Sequence, residues 1–364
     1  MKILRKYLLV ELGLPFVMIL ATLLTLLVLT QIVRLADLAI RKGVDISIIL
    51  KIIVYSFPTM LPFALPMAVV TTLLLVLGRL SSDNEFLLVR ASGVNPYLIL
   101  IPILVVGVLM SLGTLILNDQ IQPRAHFSIR RLIVQLGYQN PFAFIEPGEF
   151  IDDFNNHIIF VQSIEDKVLK NVIIYEIREG KEVRTIHAKE GRILPKQEGF
   201  GIVLALRDGF AEEPDQMDPT KTYTILFEEC PVELSMDARS TSGGRIYKRL
   251  KELTIAEIKR HIISFKDKDL INRYKTELHR KISTSFAGFA LMIMCIPLAI
   301  RTRHGEKSIG FALSILVLVA YYTLYFFSQS FAEAGVLRPW IIMWVPNTVS
   351  ILAGFILFRR MLMR

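Results

Sequence analysis

An α-helical membrane protein with six transmembrane helices and an inserted all-β, jelly-roll-like domain beyond the membrane is the fold the sequence predicts. Three observations predict it. The chain is too apolar for a soluble protein of its size: 53% of its 364 residues are hydrophobic, 21% are charged and its mean hydropathy is +0.49. Six runs lack Asp, Glu, Lys and Arg over lengths near the ~20 residues that cross ~30 Å of hydrocarbon. They lie at 12–33, 52–78, 91–118, 282–300, 308–332 and 339–358. Between the third and fourth, short runs rich in Ile, Val, Phe and Tyr are punctuated by Gly, Pro, Asn and Asp. The plan is three spans within 1–118, a β domain with flanking helices at 119–281 and three spans within 282–364.

The first run is too long, and too soon followed by a second, for a cleaved signal peptide, and no small-residue cleavage site follows it. It is expected to stay as an anchor, with Pro15 near its start where a missing N–H costs little. The second run carries Pro58, Pro62 and Pro66. A spacing of four sets these kink-forming prolines on one slowly drifting stripe, each removing a backbone bond. In lipid the freed carbonyls must be met by neighbours or water, so the stripe is expected to face other helices.

Lysines and arginines collect on cytoplasmic flanks. Lys2, Arg5 and Lys6, then Arg301, Arg303 and Lys307, then Arg359, Arg360 and Arg364 place both termini and the fourth-to-fifth connection in the cytoplasm, and the β domain on the far side. Arg34, Arg41 and Lys42 would lie on that far side against the rule, which suggests another task for them.

The connection at 79–96 then faces the cytoplasm. Ser82 with Glu85 has the spacing of a capping box, Asp83 and Glu85 place negative charge at a helix start, and Gly93 supplies a left-handed stop. A short helix near 82–92, carrying Ser82, Asp83, Glu85, Phe86 and Arg90 and ending at Gly93, is expected. Such a peg between two spans is something a cytoplasmic partner can push.

The insert offers five strand-like runs at 157–161, 172–177, 183–188, 201–206 and 222–227, arguing for a sandwich or jelly roll. The first, His157-Ile158-Ile159-Phe160-Val161, is more continuously apolar than a half-exposed strand, which points to a greasy interior. A weaker cap at Thr254-Ile255-Ala256-Glu257 opens an amphipathic helix running toward Lys266.

Catalytic and metal-binding patterns are missing. Gly305-Glu306-Lys307-Ser308 imitates only the tail of a phosphate-binding loop, so the chain is not expected to hydrolyse ATP itself. The six histidines are scattered, and Cys230 and Cys295 make no disulfide framework or zinc pattern. The net charge of +9 is explained by the cytoplasmic flanks, and nothing requires nucleic acid.

Three motifs in order carry a resemblance. Leu77-Gly78-Arg79-Leu80 through Ser92-Gly93 with Glu85 between, Glu277-Leu278-His279-Arg280-Lys281 leading to Pro297-Leu298, and Lys307, Ser308 and Gly310 between Gly305 and Phe311 resemble the LptF/LptG (YjgP/YjgQ) lipopolysaccharide export permeases, with the 277–280 region leaning to LptF. The resemblance implies one permease subunit of a bacterial inner-membrane ABC transporter serving outer-membrane biogenesis. It would pair with an LptG-like or LptF-like second subunit, sit on an LptB ATPase dimer that uses ATP and Mg, and hand lipopolysaccharide to LptC and LptA, while binding no cofactor itself. The family's coupling-helix acid falls on Glu85. Arg34 matches one basic residue at the periplasmic end of the first span, where the other position holds Gln31, and Arg130, seven residues after Pro123, resembles a basic position above the third. Arg34, Arg41, Lys42 and Arg130 would then meet lipid phosphates. A membrane-anchored periplasmic scaffold or an ion-coupled secondary transporter are the alternatives, which co-purification of an ATPase would separate.

Overall fold

The computed structural model describes residues 2–40, 45–85, 88, 96–139, 145, 147–154, 157–178, 181–195, 202–214, 222–234, 248–301 and 307–362. The chain runs through α1 (Lys2–Ile40), α2 (Ile46–Ser82), α3 (Pro96–Ile116), a π-helical segment Leu117–Ile121 and α4 (Gln122–Gln139). The strands β1 (Phe150–Phe154), β2 (His157–Glu165), β3 (Val168–Arg178), β4 (Lys181–Pro195), β5 (Ile202–Pro214) and β6 (Thr222–Leu234) come next. Then follow α5 (Ile255–Ser264), α6 (Lys268–Arg301), α7 (Lys307–Glu333), α8 (Pro339–Ile342) and α9 (Val345–Leu362). Among the described residues, six helical stretches are long and apolar enough to cross a membrane, with the sheet inserted between the third and fourth. The fold class expected from the sequence is the one found.

Two compact units form. The first comprises Met1–Gln31, Val54–Phe127 and Arg249–Arg364. Here α6 is the helix on which α3, α5, α7 and α9 pack. Its apolar face, with Leu291, Met292, Cys295, Ile296 and Ala299, is buried against Val70, Leu73 and Leu77 of α2, Ile103 of α3 and Tyr321 and Tyr325 of α7. Membrane helices gain little from excluding lipid, so close approach and interhelical hydrogen bonds decide where they meet. Gly354 of α9 shows the first: a Cβ there would lie 2.7 Å from the Ile293 carbonyl oxygen of α6. Ser81 shows the second, its Oγ donating to the Ile300 carbonyl at 2.8 Å.

The second unit comprises Ile32–Ile53 and Ser128–Lys248. Its six described strands pair antiparallel in chain order, each with the next. Among the described residues they form one antiparallel sheet with the order of a meander. The strands are also longer than the expected runs, and β1 escaped the sequence reading. The cause is a crease. Period-2 alternation holds on both sides of a line where each of β2 to β6 places two polar residues in succession: Gln162-Ser163, Lys170-Asn171, Lys189-Glu190, Arg207-Asp208 and Glu228-Glu229. The row Ser163, Lys170, Glu190, Arg207 and Glu229 is paired strand to strand, while Gln162, Asn171, Lys189, Asp208 and Glu228 are skipped by the ladder. Asn171 and Asp208 both adopt a positive φ of 51°. Asn and Asp tolerate this left-handed geometry better than most residues, so they turn the chain where the alternation resets.

Inward residues on both sides of the crease, Ile159, Val161, Val172 and Ile186 on one and Leu169, Leu204, Leu206 and Val232 on the other, belong to one core. The sheet therefore bends over its own apolar face. Along the crease the charges alternate in sign, Lys170, Glu190, Arg207, Glu229. Lys170 Nζ donates to Glu190 Oε1 at 2.5 Å and Arg207 Nη2 lies 2.6 Å from Glu229 Oε1. Opposite charges facing each other across strands favour this register over a slipped one. The hydrogen bond from Lys170 holds the Glu190 carboxyl below the usual glutamate range.

A second, smaller core in this unit gathers Leu35 near the end of α1, Ile52 near the start of α2 and Leu136 of α4, with Ile48, Ile49, Ile129, Leu132 and Ile133 against it.

Two consequences are measurable. A Cβ at Gly209 would lie 2.1 Å from the His187 carbonyl oxygen and 2.5 Å from the Phe227 ring. Gly209→Ala is expected to cost about 1–3 kcal/mol, as overpacking does, and to show as earlier protease cleavage within β4 to β6. Because Glu190 titrates below its unfolded value, its contribution is present above the usual glutamate range and fades as the pH falls through the lowered one. The thermal midpoints of wild type and Glu190→Gln should differ at pH 6 and converge toward pH 3.

Candidate functional site

At the end of α2, Ser82 and Asn84 together end the helix. Ser82 is the last residue of α2 and its Oγ donates back to the Gly78 carbonyl at 3.0 Å, closing the helix. Asn84, with φ of 60°, breaks the helix, and its carbonyl accepts from the Leu88 N–H at 3.0 Å. The polar pair Asp83-Asn84 ends the long apolar run of α2 because Asn enters the left-handed region with little strain. Glu85 begins the following turn. Its carboxylate accepts from the Tyr7 hydroxyl of α1, at 3.3 Å to Oε2, and one turn further along α1 Glu11 is ion-paired with Arg79 of α2. Phe86, Arg90 and Gly93 lie outside the described residues.

Of the basic residues singled out from the sequence, Arg34 has a helical backbone on α1, its side chain lying outside the described residues, as Arg41 and Lys42 do entirely. Arg130 is buried on α4. Arg34 adjoins Leu35 in sequence and Arg130 adjoins Ile129, and both of those neighbours pack in the same small core. The helices bearing the two arginines are thus brought together.

The three prolines leave α2 a single helix. Pro62 and Pro66 are buried and Pro58 is half-buried. The carbonyls that follow two of them take side-chain donors from other helices: Gln122 Nε2 reaches the Thr59 oxygen at 3.4 Å, and the Tyr322 hydroxyl reaches that of Phe63 at 2.9 Å. In hydrocarbon such donors are the means of satisfying a proline-disturbed ladder.

A polar spine on α6 went unassigned in the sequence reading. Lys281 is 1% exposed, and its ammonium donates to the carbonyls of Asn118 at 3.0 Å and Leu253 at 2.8 Å. Asn118 sits in the π-helical segment, where one extra residue per turn leaves backbone groups open to outside partners. Its Nδ2 donates to Ser285 Oγ at 2.8 Å and to Thr284 Oγ1 at 3.2 Å. Next to it, Asp119 accepts the Ile255 N–H at 2.6 Å and so fixes the start of α5. Four residues before Lys281, buried Glu277 takes a two-point hydrogen bond from Arg280, 2.7 Å from Nε and 2.6 Å from Nη2. On the far side of the spine, Ser283 Oγ donates to the Met343 carbonyl at 2.5 Å, and Asn347 joins the Ser283 carbonyl to the Tyr321 hydroxyl, both at 2.8 Å.

Residues 6–360 match the family described as lipopolysaccharide export system permease LptF/LptG. The chain belongs to this family. It is 22% identical to an uncharacterized protein of Rickettsia prowazekii over 90% of this chain and 91% of that one. It is 21% identical to the lipopolysaccharide export system permease protein LptF of Escherichia coli K12, over 90% and 86% of the two chains, and the LptF of Shigella flexneri gives the same figures.

In this LptF/LptG permease the spine was hidden by a boundary. A charge-free run that starts at 282 leaves Lys281 outside the span, whereas α6 is one helix from Lys268 to Arg301. The available signal was Ser283-Thr284-Ser285 inside an apolar run, together with Asn118 and Asn347 in two others. Polar residues in spans are costly unless partnered, so several at once announce a network. Removing its central donor tests the network. Lys281→Ala strands two buried carbonyls and opens a cavity, and should cost about 2–4 kcal/mol. The readout is a lower melting temperature of the detergent-solubilised protein, with Lys281→Arg recovering part of the loss.

Proposed function

We propose that this chain is the LptF-like permease subunit of an ABC transporter that extracts lipopolysaccharide from the bacterial inner membrane and passes it across a periplasmic β bridge. The observation that carries the proposal is the family match across both membrane-capable triplets and the insert between them, with a folded sheet whose inner face is apolar. The curated relatives named LptF favour that branch.

Both termini are cytoplasmic in this reading and the sheet is periplasmic. The partners are a second, LptG-like subunit, an LptB ATPase dimer that uses ATP and Mg, and LptC and LptA as onward acceptors; this chain binds no cofactor. The segment from Ser82 through Asp83, Glu85, Phe86 and Arg90 to Gly93 receives the ATPase stroke. Arg34, Arg41, Lys42 and Arg130 meet lipid phosphates, for which the forked guanidinium suits two-point hydrogen bonding. Extraction requires work because tens of methylenes leave the bilayer at about 0.8 kcal/mol each unless another apolar surface covers them. The inner face of the creased sheet is such a surface.

The first test is a mild-detergent pull-down with protein and lipid analysis of one eluate. An ABC-type ATPase, a second six-span chain and lipopolysaccharide are expected together; a lone chain overturns the reading. In the purified complex Glu85→Ala should leave insertion intact and cut lipopolysaccharide release per ATP at least tenfold. Arg34→Glu should reduce co-purified lipopolysaccharide roughly tenfold or more, the scale of losing a charge-assisted hydrogen bond of about 1.5–3 kcal/mol.

A further inference from the structure

The segment proposed to receive the ATPase stroke is tied to more than the two helices that flank it in sequence. Tyr7 of α1 hydrogen-bonds the Glu85 carboxylate, and Glu11 of the same helix pairs with Arg79, the basic residue in the last turn of α2. Tyr7 and Glu11 are four residues apart, so both project from one face of α1. Leu8 of α1 is buried in the core shared with α2 and α6, with Leu12 and Phe16 packed against it, but the rest of α1 is the least covered of the long helices. Its most apolar window is only 11% buried, against 67% for α2 and 61% for α6. An apolar groove of about 320 Å³, lined by Leu12 and Phe16 of α1, Leu73 of α2, Val106 and Met110 of α3 and Met292 of α6, lies beside it. A helix so placed is positioned by its directional contacts more than by packing.

We propose that Tyr7 and Glu11 form a two-point latch that makes the N-terminal part of α1 move with the coupling segment, Tyr7 acting as the positioning residue for Glu85. The inference rests on the coupling role of Glu85. A stroke at Glu85 then drives α1 directly as well as α2, and α1 is the helix that carries Arg34, 27 residues beyond Tyr7. ATP-driven motion thereby reaches the lipid-binding helix without passing through the tightly packed α6. The latch lies at the surface of this chain, Tyr7 being 40% exposed and Arg79 44% at its side chain. Contacts of this kind are individually weak and reform readily, as a cycling transporter requires.

The test uses the assembled transporter, with both permease subunits and the ATPase, in proteoliposomes holding lipopolysaccharide. ATP hydrolysis and lipid release are followed together. Tyr7→Phe removes one oxygen and keeps the ring. Tyr7→Phe and Glu11→Gln should each lower release per ATP by about threefold to fivefold while hydrolysis stays within about twofold of wild type. The charge-exchanged pair Glu11→Arg with Arg79→Glu should recover release beyond either single variant, which loss of packing alone would not produce. Unchanged release per ATP in both Tyr7→Phe and Glu11→Gln, with Glu85→Ala uncoupled, overturns the latch and leaves the coupling segment in place. Wild-type behaviour of Glu85→Ala overturns the coupling role and the latch with it. Failure of Tyr7→Phe to assemble the complex assigns the hydroxyl to folding and also overturns the latch.

Discussion

The Lys281 ammonium is the contact on which the helical unit depends. A primary amine buried to 1% exposure needs its donors met, because an unsatisfied charge away from water is among the costliest features a fold can carry. Here the Asn118 and Leu253 carbonyls meet it. One belongs to the π-helical segment after α3 and the other to the stretch before α5, so a single side chain of α6 joins chain segments 163 and 28 residues away. The π geometry is compatible with this requirement. Asn118 turns its amide toward α6 and offers its carbonyl to Lys281, and a regular α-helix would hold that carbonyl in its own ladder.

How much of this was legible in the sequence depended on whether a signal was periodic or conditional. Charge-free runs report spans directly, since the bilayer imposes length and apolarity on every such helix. The β insert was visible through composition, as short runs rich in β-branched and aromatic residues set between turn residues. The crease was not, because its signal is an interruption: Lys189-Glu190 or Arg207-Asp208 looks like the end of a strand when the chain in fact turns and continues. Only the register across neighbouring strands shows five interruptions falling on one line.

The functional region was legible in a similar, partial way. Glu85 was found through a capping pattern, and the structure adds another reason for interest in it, the bond from Tyr7. Sequence distance hides that bond, since nothing in the spacing of residues 7 and 85 marks them as partners. At Ser82 the hydroxyl bonds the carbonyl four residues back, as a hydroxyl in a helical backbone can, and the strong apolar run before it keeps that backbone helical. Asn84 is where the balance tips. Arg130 was given its lipid role through resemblance, and its burial on α4 is a tertiary property that no local pattern encodes.

The distribution of bond strength separates a frame from a moving part. Around α6 the hydrogen bonds are buried, numerous and interdependent, so breaking one strands its partners and the cost approaches the full desolvation penalty of each group. Around α1 the ties are exposed on the chain's surface, and exposed pairs of this kind contribute only about 0–1 kcal/mol each. A lipid transporter has to deform somewhere on every cycle. The physical chemistry favours deformation where contacts exchange with solvent and opposes it where a buried lysine and three asparagine- or serine-bearing helices would have to part. The same reasoning applies to the sheet: the crease is lined outside by exchangeable ion pairs and inside by one continuous apolar core. Opening along that line would expose that core to water, so the sheet is held shut by its apolar face more than by the ion pairs outside it.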